Sequence, residues 1–196
     1  QAPGASMDHS AKIQLARQLA RLNVDVIEAG FPISSPEDFE SVKAIAQEVE
    51  GPAIAGLSRA LPKDVERCWE AVQQAQKPRI HTFIGTSKVM VEKRFGKTEA
   101  EVLQMSVDAV ELACSLCDDV EFSAEDAMRT RPEYLRDVVE AVIEAGAKTV
   151  NIPDTVGYAT PWQIEETISY LVENVPNIEE TVISVHNHDD LGMSVA

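Results

Sequence analysis

The sequence is poor in cysteine and contains no long apolar run. Its three cysteines are an odd number, and their spacing does not resemble the disulfide framework of a small secreted domain, which favours a reducing compartment. No stretch approaches the roughly 20 consecutive apolar residues that a membrane-spanning helix requires. We therefore expect a soluble, cytoplasmic protein without a membrane partner.

Positive charge is scarce as well. The chain has 17 lysines and arginines against 33 aspartates and glutamates, a formal net charge of -16. Nucleic acids and anionic membrane surfaces are bound by basic patches, so neither is an expected partner. Many acidic residues lie in helix-like segments, for example Glu165 and Glu166, where a solvated helix face is the simplest explanation.

Two of the cysteines form a Cys-x-x-Cys pair. Cys114 and Cys117 lie in a segment with a helical pattern, and no second cysteine pair accompanies them. Packing within a helix is therefore favoured over a redox or zinc-binding role.

Six short runs rich in β-branched residues alternate with six longer amphipathic segments. The predicted strands are 24–28, 53–57, 79–84, 119–122, 149–152 and 182–186. The predicted helices are 10–22, 36–48, 62–75, 99–117, 132–145 and 161–174. A helix in every interval between strands implies βαβ crossovers and a parallel sheet.

The predicted fold class is α/β, specifically a (β/α)8 TIM barrel without its first strand and its last unit. Residues 1–196 would then form one partial catalytic barrel domain, with no second domain in this chain. An open, doubly wound sheet is the alternative, but that fold usually carries a glycine-rich turn after its first strand. The chain contains no Gly-x-Gly-x-x-Gly motif, so the barrel is favoured.

Polar side chains follow every predicted strand. Catalytic groups of barrel enzymes lie at the C-terminal ends of the strands and in the loops that follow. The residues at these positions are Glu28, Ser58, Arg59, His81, Thr82, Ser123, Glu125, Asp126, Asn151, Asp154, Thr155, His186, His188 and Asp189. We expect them to line a single polar pocket.

Two histidines at the last strand end suggest a metal site. Side chains alternate along a strand, so His186 and His188 point the same way and offer two imidazole ligands. A His-x-His is a short motif, and polar residues leaving a strand for a loop would look the same. A metal site would need at least one further carboxylate or amide ligand. Mixed nitrogen and oxygen ligands suit Zn or Mn, and Mg is possible.

Six segments in order resemble one family along essentially the whole chain. The segments are 1–7, 27–32, 81–83, 121–126, 151–158 and 186–192. They are similar to the metal-dependent DRE-TIM barrel enzymes, which include the isopropylmalate, homocitrate and citramalate synthases and hydroxymethylglutaryl-CoA lyase, and most of all to the 2-isopropylmalate synthases.

The resemblance implies an acyltransferase of leucine biosynthesis. Such an enzyme condenses acetyl-CoA with 2-oxoisovalerate, or a similar 2-oxo acid, with the help of a divalent metal ion (Mn, Zn or Mg). His186 and His188 match the family's metal ligands. Glu125 and Ser123 match residues of the keto-acid pocket, with Thr155 and His81 beside them, and Glu125 and His81 are the catalytic candidates. A homodimer is expected for the full-length protein.

Two alternatives stay open. The chain could come from a homocitrate or citramalate synthase or a lyase of the same family, or it could be a noncatalytic, metal-binding barrel remnant.

Family members carry an Arg-Asp-Gly-Glu stretch, with a metal-binding aspartate, just before the position of Gln1. We therefore expect the chain alone to be inactive.

Several residues have simpler structural explanations. We expect His9 to be structural, Glu28 to support the site and Asp154 to stabilise its own turn. Arg129 and Arg131 could attract the phosphates of CoA, but solvated charge is the commoner role for exposed arginines. The charged loop 86–97 is a candidate lid.

Overall fold

The computed structural model describes residues 7–196, so Gln1–Ser6, in the first of the six family-like segments, lie outside the described residues. The strands β1 to β6 are Val26–Gly30, Ala53–Arg59, Pro78–Gly85, Val120–Glu125, Thr149–Asp154 and Val182–Asn187. The helices α1 to α6 are His9–Arg21, Pro36–Glu48, Pro62–Val72, Glu99–Leu116, Pro132–Glu144 and Pro161–Asn174.

The six strands form one parallel sheet in which each strand pairs with the next along the chain. The register places His81 opposite Glu121 and Asn151 opposite Ser184. Because the spatial order follows the chain order without reversal, the sheet is not doubly wound. It curls into part of a barrel with the helices outside, which confirms the predicted incomplete TIM barrel.

Helix starts follow the capping chemistry of the sequence. Ser35 accepts a hydrogen bond from the Asp38 amide at the start of α2. Thr98 and Thr160 each form a full capping box, with Glu101 and Gln163 respectively. These side chains satisfy backbone donors that the first turn leaves unpaired, so the helices begin where the sequence predicts.

The strands have one apolar and one polar face. Ile80, Phe122 and Val150 are fully buried and belong to the core between the sheet and the helices. The residues that precede them by one, such as Arg79 and Glu121, point to the inside of the curled sheet, where they line its cavity. The alternation of strand side chains therefore places polar groups inside the barrel.

Some element boundaries differ from the prediction. β1 begins at Val26 rather than at residue 24, because Asn23 is left-handed with φ of 61° and the chain is still turning away from α1. β4 continues to Glu125 rather than ending at residue 122, because it stays paired with β3 as far as Gly85. The second difference moves Ser123 and Glu125 from a loop onto a strand.

The cysteines have packing roles. The Cys117 thiol donates to the carbonyl oxygen of Pro78 at 3.2 Å, and Cys114 lies against Gly146, where an added Cβ would come within 2.9 Å of its Sγ. Burial raises the pKa of the Cys117 thiol. These contacts agree with the predicted helix packing. Among residues 7–196, no helix is long and apolar enough to cross a membrane.

Candidate active site

The inner face of the curled sheet encloses an open cavity of about 640 Å³. We call it the central cavity. Inward-facing residues of the strands line it, because alternate positions of each strand point to the barrel interior. They are Asp25, Val26, Glu28, Ala55, Arg79, His81, Glu121, Thr149, Asn151, Val182, Ser184, Val185 and His186.

A chain of hydrogen bonds links residues of four strands, and three of its four members, Glu28, His81 and Asn151, line this cavity. The Glu28 carboxylate on β1 bonds Nδ1 of His81 on β3. Nε2 of His81 lies 2.7 Å from Oγ of Ser123 on β4. The side-chain amide of Asn151 on β5 donates to the same Oγ at 2.8 Å. We refer to these four residues as the polar relay.

The electrostatics of the polar relay favour an ion pair. Burial raises the pKa of the Glu28 carboxyl, but the hydrogen bond and charge of His81 lower it more, so the net pKa lies below its usual value. Burial lowers the pKa of His81, but the hydrogen bond and charge of Glu28, with the charge of Glu121, raise it above its usual value.

A second polar layer lies beneath the relay. Arg79 donates to Asp119 at 2.9 Å and to Glu121 at 3.0 Å, and Glu121 Oε1 is 3.9 Å from Nε2 of His81. Arg79 and Glu121 were not among the site residues predicted from the sequence. Each precedes a predicted site residue by two positions on its strand, and this spacing is the signal that could have found them.

The two histidines of the expected metal site lie side by side. The ring centroids of His186 and His188 are 5.1 Å apart and their planes differ by 10°, as strand alternation predicts. His186 lines the central cavity, whereas His188 lines a neighbouring cavity of about 300 Å³ together with Asp154 and Asn187.

The donor set is incomplete within the described part of the chain. No group of three or more His, Cys, Asp or Glu side chains able to hold a metal is assembled among residues 7–196. The Oδ1 atom of Asn187, between the two histidines, is buried without a hydrogen-bond partner. Paired imidazoles suit a divalent transition metal, so the residues fit part of a metal site that takes its other ligands from elsewhere.

Glu125 ends β4 at a separate cavity of about 270 Å³. Phe83 and Phe95 line this cavity beside it, and its carboxylate is 3.6 Å from the Arg94 guanidinium. Burial raises the pKa of Glu125, although Arg94 opposes the shift. A carboxyl group with a raised pKa against aromatic rings is typical of a ligand pocket.

Asp126 connects Thr155 to the C-terminal end of β4, beside Glu125. Its backbone is left-handed, with φ of 67°, and its amide donates to Oγ1 of Thr155 at 2.9 Å. Its carboxylate accepts from Ser87 at 2.5 Å and twice from Arg129 at 2.8 Å. A non-glycine residue in this conformation is uncommon and tends to mark constrained functional regions.

Two simpler explanations agree with the contacts observed. Asp154 accepts from the backbone amides of Ala159 at 2.9 Å and Tyr158 at 3.3 Å, so it stabilises its own turn. His9 bonds Ser41 at 3.0 Å, which is a contact between helices α1 and α2.

The two arginines that follow β4, Arg129 and Arg131, form ion pairs with acidic side chains. Arg129 bonds Asp126, and Arg131 bonds Glu99 at 2.9 Å and Glu133 at 3.0 Å. These pairs favour the structural explanation over phosphate binding.

The candidate lid contains a π-helical turn, Val89–Arg94. Hydrogen bonds from Ser87 to Asp126 and between Thr86 and Thr130, at 2.7 Å, tie its first residues to the loop after β4. Its closure over a substrate stays a prediction.

Comparisons with known proteins agree on one family. The family model described as HMGL-like matches residues 1–196. The 2-isopropylmalate synthases of Dictyoglomus turgidum and Pyrococcus furiosus are 54% and 56% identical over 196 residues, which is all of this chain. The chain spans 39% of the length of each of these relatives.

Solved structures show the same fold. Hydroxymethylglutaryl-CoA lyase from Pseudomonas aeruginosa superposes with a TM-score of 0.77 at 20% identity, covering 98% of this chain and 65% of that one. The corresponding lyase from Bacillus subtilis gives 0.75 at 21% identity, covering 96% of this chain and 64% of that one.

Proposed function

The chain belongs to the HMGL-like family, and from that membership we propose that it forms part of the catalytic barrel of a 2-isopropylmalate synthase. The enzyme would condense acetyl-CoA with 2-oxoisovalerate to give 2-isopropylmalate and CoA, a step of leucine biosynthesis. The observation that carries the proposal is the 54–56% identity, over every residue of the chain, to synthases of that name. The polar inner face of the sheet supports it.

The proposed reaction is a Claisen-type condensation followed by hydrolysis. A base removes a proton from the acetyl methyl group, and the resulting carbon nucleophile forms a bond to the ketone carbon of the 2-oxo acid. The ketone oxygen takes up a proton and becomes a hydroxyl. Water then adds to the thioester carbonyl, the carbon–sulfur bond breaks and CoA leaves as a thiol.

His186 and His188 are the residues proposed to hold a divalent metal ion. Their stacked rings place both imidazoles at the end of the same strand, next to the central cavity. When bound there, the ion would act as a Lewis acid on the oxygens of the 2-oxo acid.

The chain's own polar groups would orient the 2-oxo acid. Ser123 and Thr155 offer hydroxyls, and His81 contacts Ser123 directly. Such donors stabilise negative charge that develops on an oxygen in the transition state, since they are already in place before the reaction.

Glu125 would act mainly on selectivity. Its cavity is lined by Leu61, Phe83 and Phe95, which suits a branched alkyl group. Two arginines also line the cavity, but Arg59 is paired with Asp64 and Arg94 with Glu125, so both are already neutralised by carboxylates of the chain. Burial raises the pKa of the Glu125 carboxyl group, because apolar surroundings disfavour its charged form. We therefore expect 2-oxoisovalerate to be preferred over 2-oxoglutarate.

A comparison of 2-oxo acids tests this function. The gene's full-length product is assayed for CoA release from acetyl-CoA with 2-oxoisovalerate, pyruvate and 2-oxoglutarate in parallel. We expect the highest kcat/KM with 2-oxoisovalerate. Preference for pyruvate or 2-oxoglutarate would indicate a citramalate or homocitrate synthase, and no release with any of the three would refute the proposed condensation.

A further inference from the structure

The hydrogen-bonding capacity of Ser123 determines what it can offer to a ligand. A serine hydroxyl has one hydrogen to donate and two lone pairs to accept with. The Asn151 amide already donates to its Oγ at 2.8 Å, and Nε2 of His81 is the second neighbour at 2.7 Å. Whether the Ser123 hydrogen is free therefore depends on the protonation of His81.

Glu28 fixes one end of the His81 ring. An ionised carboxylate only accepts, so the contact between Glu28 and Nδ1 requires a hydrogen on Nδ1. Neutral His81 would then have a bare Nε2, which would accept the hydrogen of Ser123. Charged His81 would instead donate from Nε2 to Oγ, and the hydroxyl hydrogen would turn away from the ring.

The groups around His81 favour the charged form. Carboxylates face it from two strands: Glu28 from β1 and Glu121 from β4, the latter 3.9 Å from Nε2. Arg79 on the same strand opposes them, but it already pairs with Asp119 and Glu121. His186 faces the same cavity from β6. The direction of the His81 pKa shift agrees with this balance.

We propose that Glu28 is a positioning residue that acts through His81 on Ser123. By keeping a proton on both ring nitrogens of His81, Glu28 frees the Ser123 hydroxyl hydrogen from the ring, so that it donates to an oxygen of a 2-oxo acid bound at the edge of the central cavity. This role rests on the proposed function and adds a device that controls how the substrate is held.

Replacing Glu28 by glutamine tests the proposal in the gene's full-length product. Glutamine keeps the shape of the side chain and removes its charge. Glu40→Gln is the matched control, because Glu40 is an exposed residue of α2 outside the central cavity and the substitution removes the same charge. The KM and kcat for 2-oxoisovalerate are measured for both variants across the neutral and mildly acidic pH range, relative to wild type at each pH.

The expected result is a pH-dependent defect in binding. At neutral pH, E28Q should raise KM by about ten- to a hundredfold, the usual value of a hydrogen bond to a charged group, with a smaller effect on kcat. The defect should shrink as the pH falls, because protons recharge His81 without Glu28. E40Q should stay close to wild type at every pH.

A double variant tests whether the effect passes through the hydroxyl. If Glu28 acts through Ser123, adding E28Q to Ser123→Ala should raise KM no further than S123A alone. Additive effects, an E28Q defect that is constant with pH, or a defect equal to that of E40Q would each overturn the proposal.

A measurement that needs no turnover separates this inference from the proposed function. Nitrogen NMR of histidine-labelled protein, with His81 assigned from a His81→Asn variant, reports the protonation of both ring nitrogens. We expect wild type to show two protonated nitrogens at neutral pH and E28Q to show one. A neutral His81 in wild type would refute the inference even if CoA release were observed, and a charged His81 without CoA release would refute the function alone.

Discussion

Replacing Asp126 by glycine should destabilise the protein less than replacing it by alanine. The Asp126 backbone has φ of 67°, which costs a residue with a Cβ about 1–2 kcal/mol and glycine nothing. Both variants lose the same hydrogen bonds, from Ser87 at 2.5 Å and from Arg129 at 2.8 Å. The difference between the two variants therefore isolates the backbone conformation.

Four contributions set the free energies of unfolding of the two variants. The buried hydrogen bond from Ser87 to a charged carboxylate contributes about 1.5–3 kcal/mol. The half-exposed arginine pair adds at most about 1 kcal/mol. Both losses are common to the variants. Glycine avoids about 1–2 kcal/mol of backbone strain that alanine would suffer. Its greater freedom in the unfolded state costs the glycine variant about 0.5–1 kcal/mol of stability. The glycine variant should therefore be more stable than the alanine variant by roughly 0.5–1 kcal/mol.

Urea denaturation of the full-length product measures this order. Asp108, an exposed residue in the middle of α4, is the control, because glycine there should be worse than alanine by about 1 kcal/mol. The urea midpoint should rank glycine above alanine at Asp126 and below alanine at Asp108. The same rank at both positions would refute the strained conformation assigned to Asp126.

For three other substitutions, the structure predicts whether the protein becomes more or less stable. Gly56→Ala places a Cβ 2.7 Å from Sγ of Cys68, so we expect a loss of about 1–3 kcal/mol in urea denaturation, and a smaller loss when Cys68→Ala is added. Arg79→Met leaves two partly buried carboxylates, 31% and 13% exposed, without a cation and should cost about 2 kcal/mol, less than the loss of one partner from a fully buried pair. Arg17→Met, in an exposed pair, should cost less than about 1 kcal/mol; equal losses would contradict the difference in burial. The pKa of Glu125 is raised in the folded protein above its usual value of 4.5. The stability that this group contributes is therefore present at pH values below 4.5 and is lost as the pH rises through the folded pKa. Glu125→Gln should stabilise the protein at neutral pH and not in acid, and a difference in stability that does not change with pH would refute this.

Local chemistry made much of the fold predictable. The caps at Ser35, Thr98 and Thr160 are signals within a few residues of the helices they start. The regular spacing of strands and helices predicts a parallel sheet, because each crossover needs a helix. The side-by-side arrangement of His186 and His188 agrees with strand alternation, although β6 ends at Asn187, one residue before His188.

Contacts between residues far apart in the sequence were harder to predict. Glu28 and His81 are 53 positions apart, and their hydrogen bond depends on how far the sheet curls, which no local pattern sets. The left-handed Asp126 and the π-helical turn at Val89–Arg94 depend on tertiary contacts with Ser87 and Thr130. Tertiary contacts of this kind routinely override local preferences.

The most direct test of the central claim is a thiol-release assay on the gene's full-length product. Acetyl-CoA and 2-oxoisovalerate are supplied with and without added divalent metal to wild type, His186→Ala and the control His9→Ala, whose side chain bonds Ser41 outside the site. We expect metal-dependent CoA release that H9A retains and H186A abolishes. CoA release by H186A at the wild-type rate would contradict the proposed role of the histidine pair.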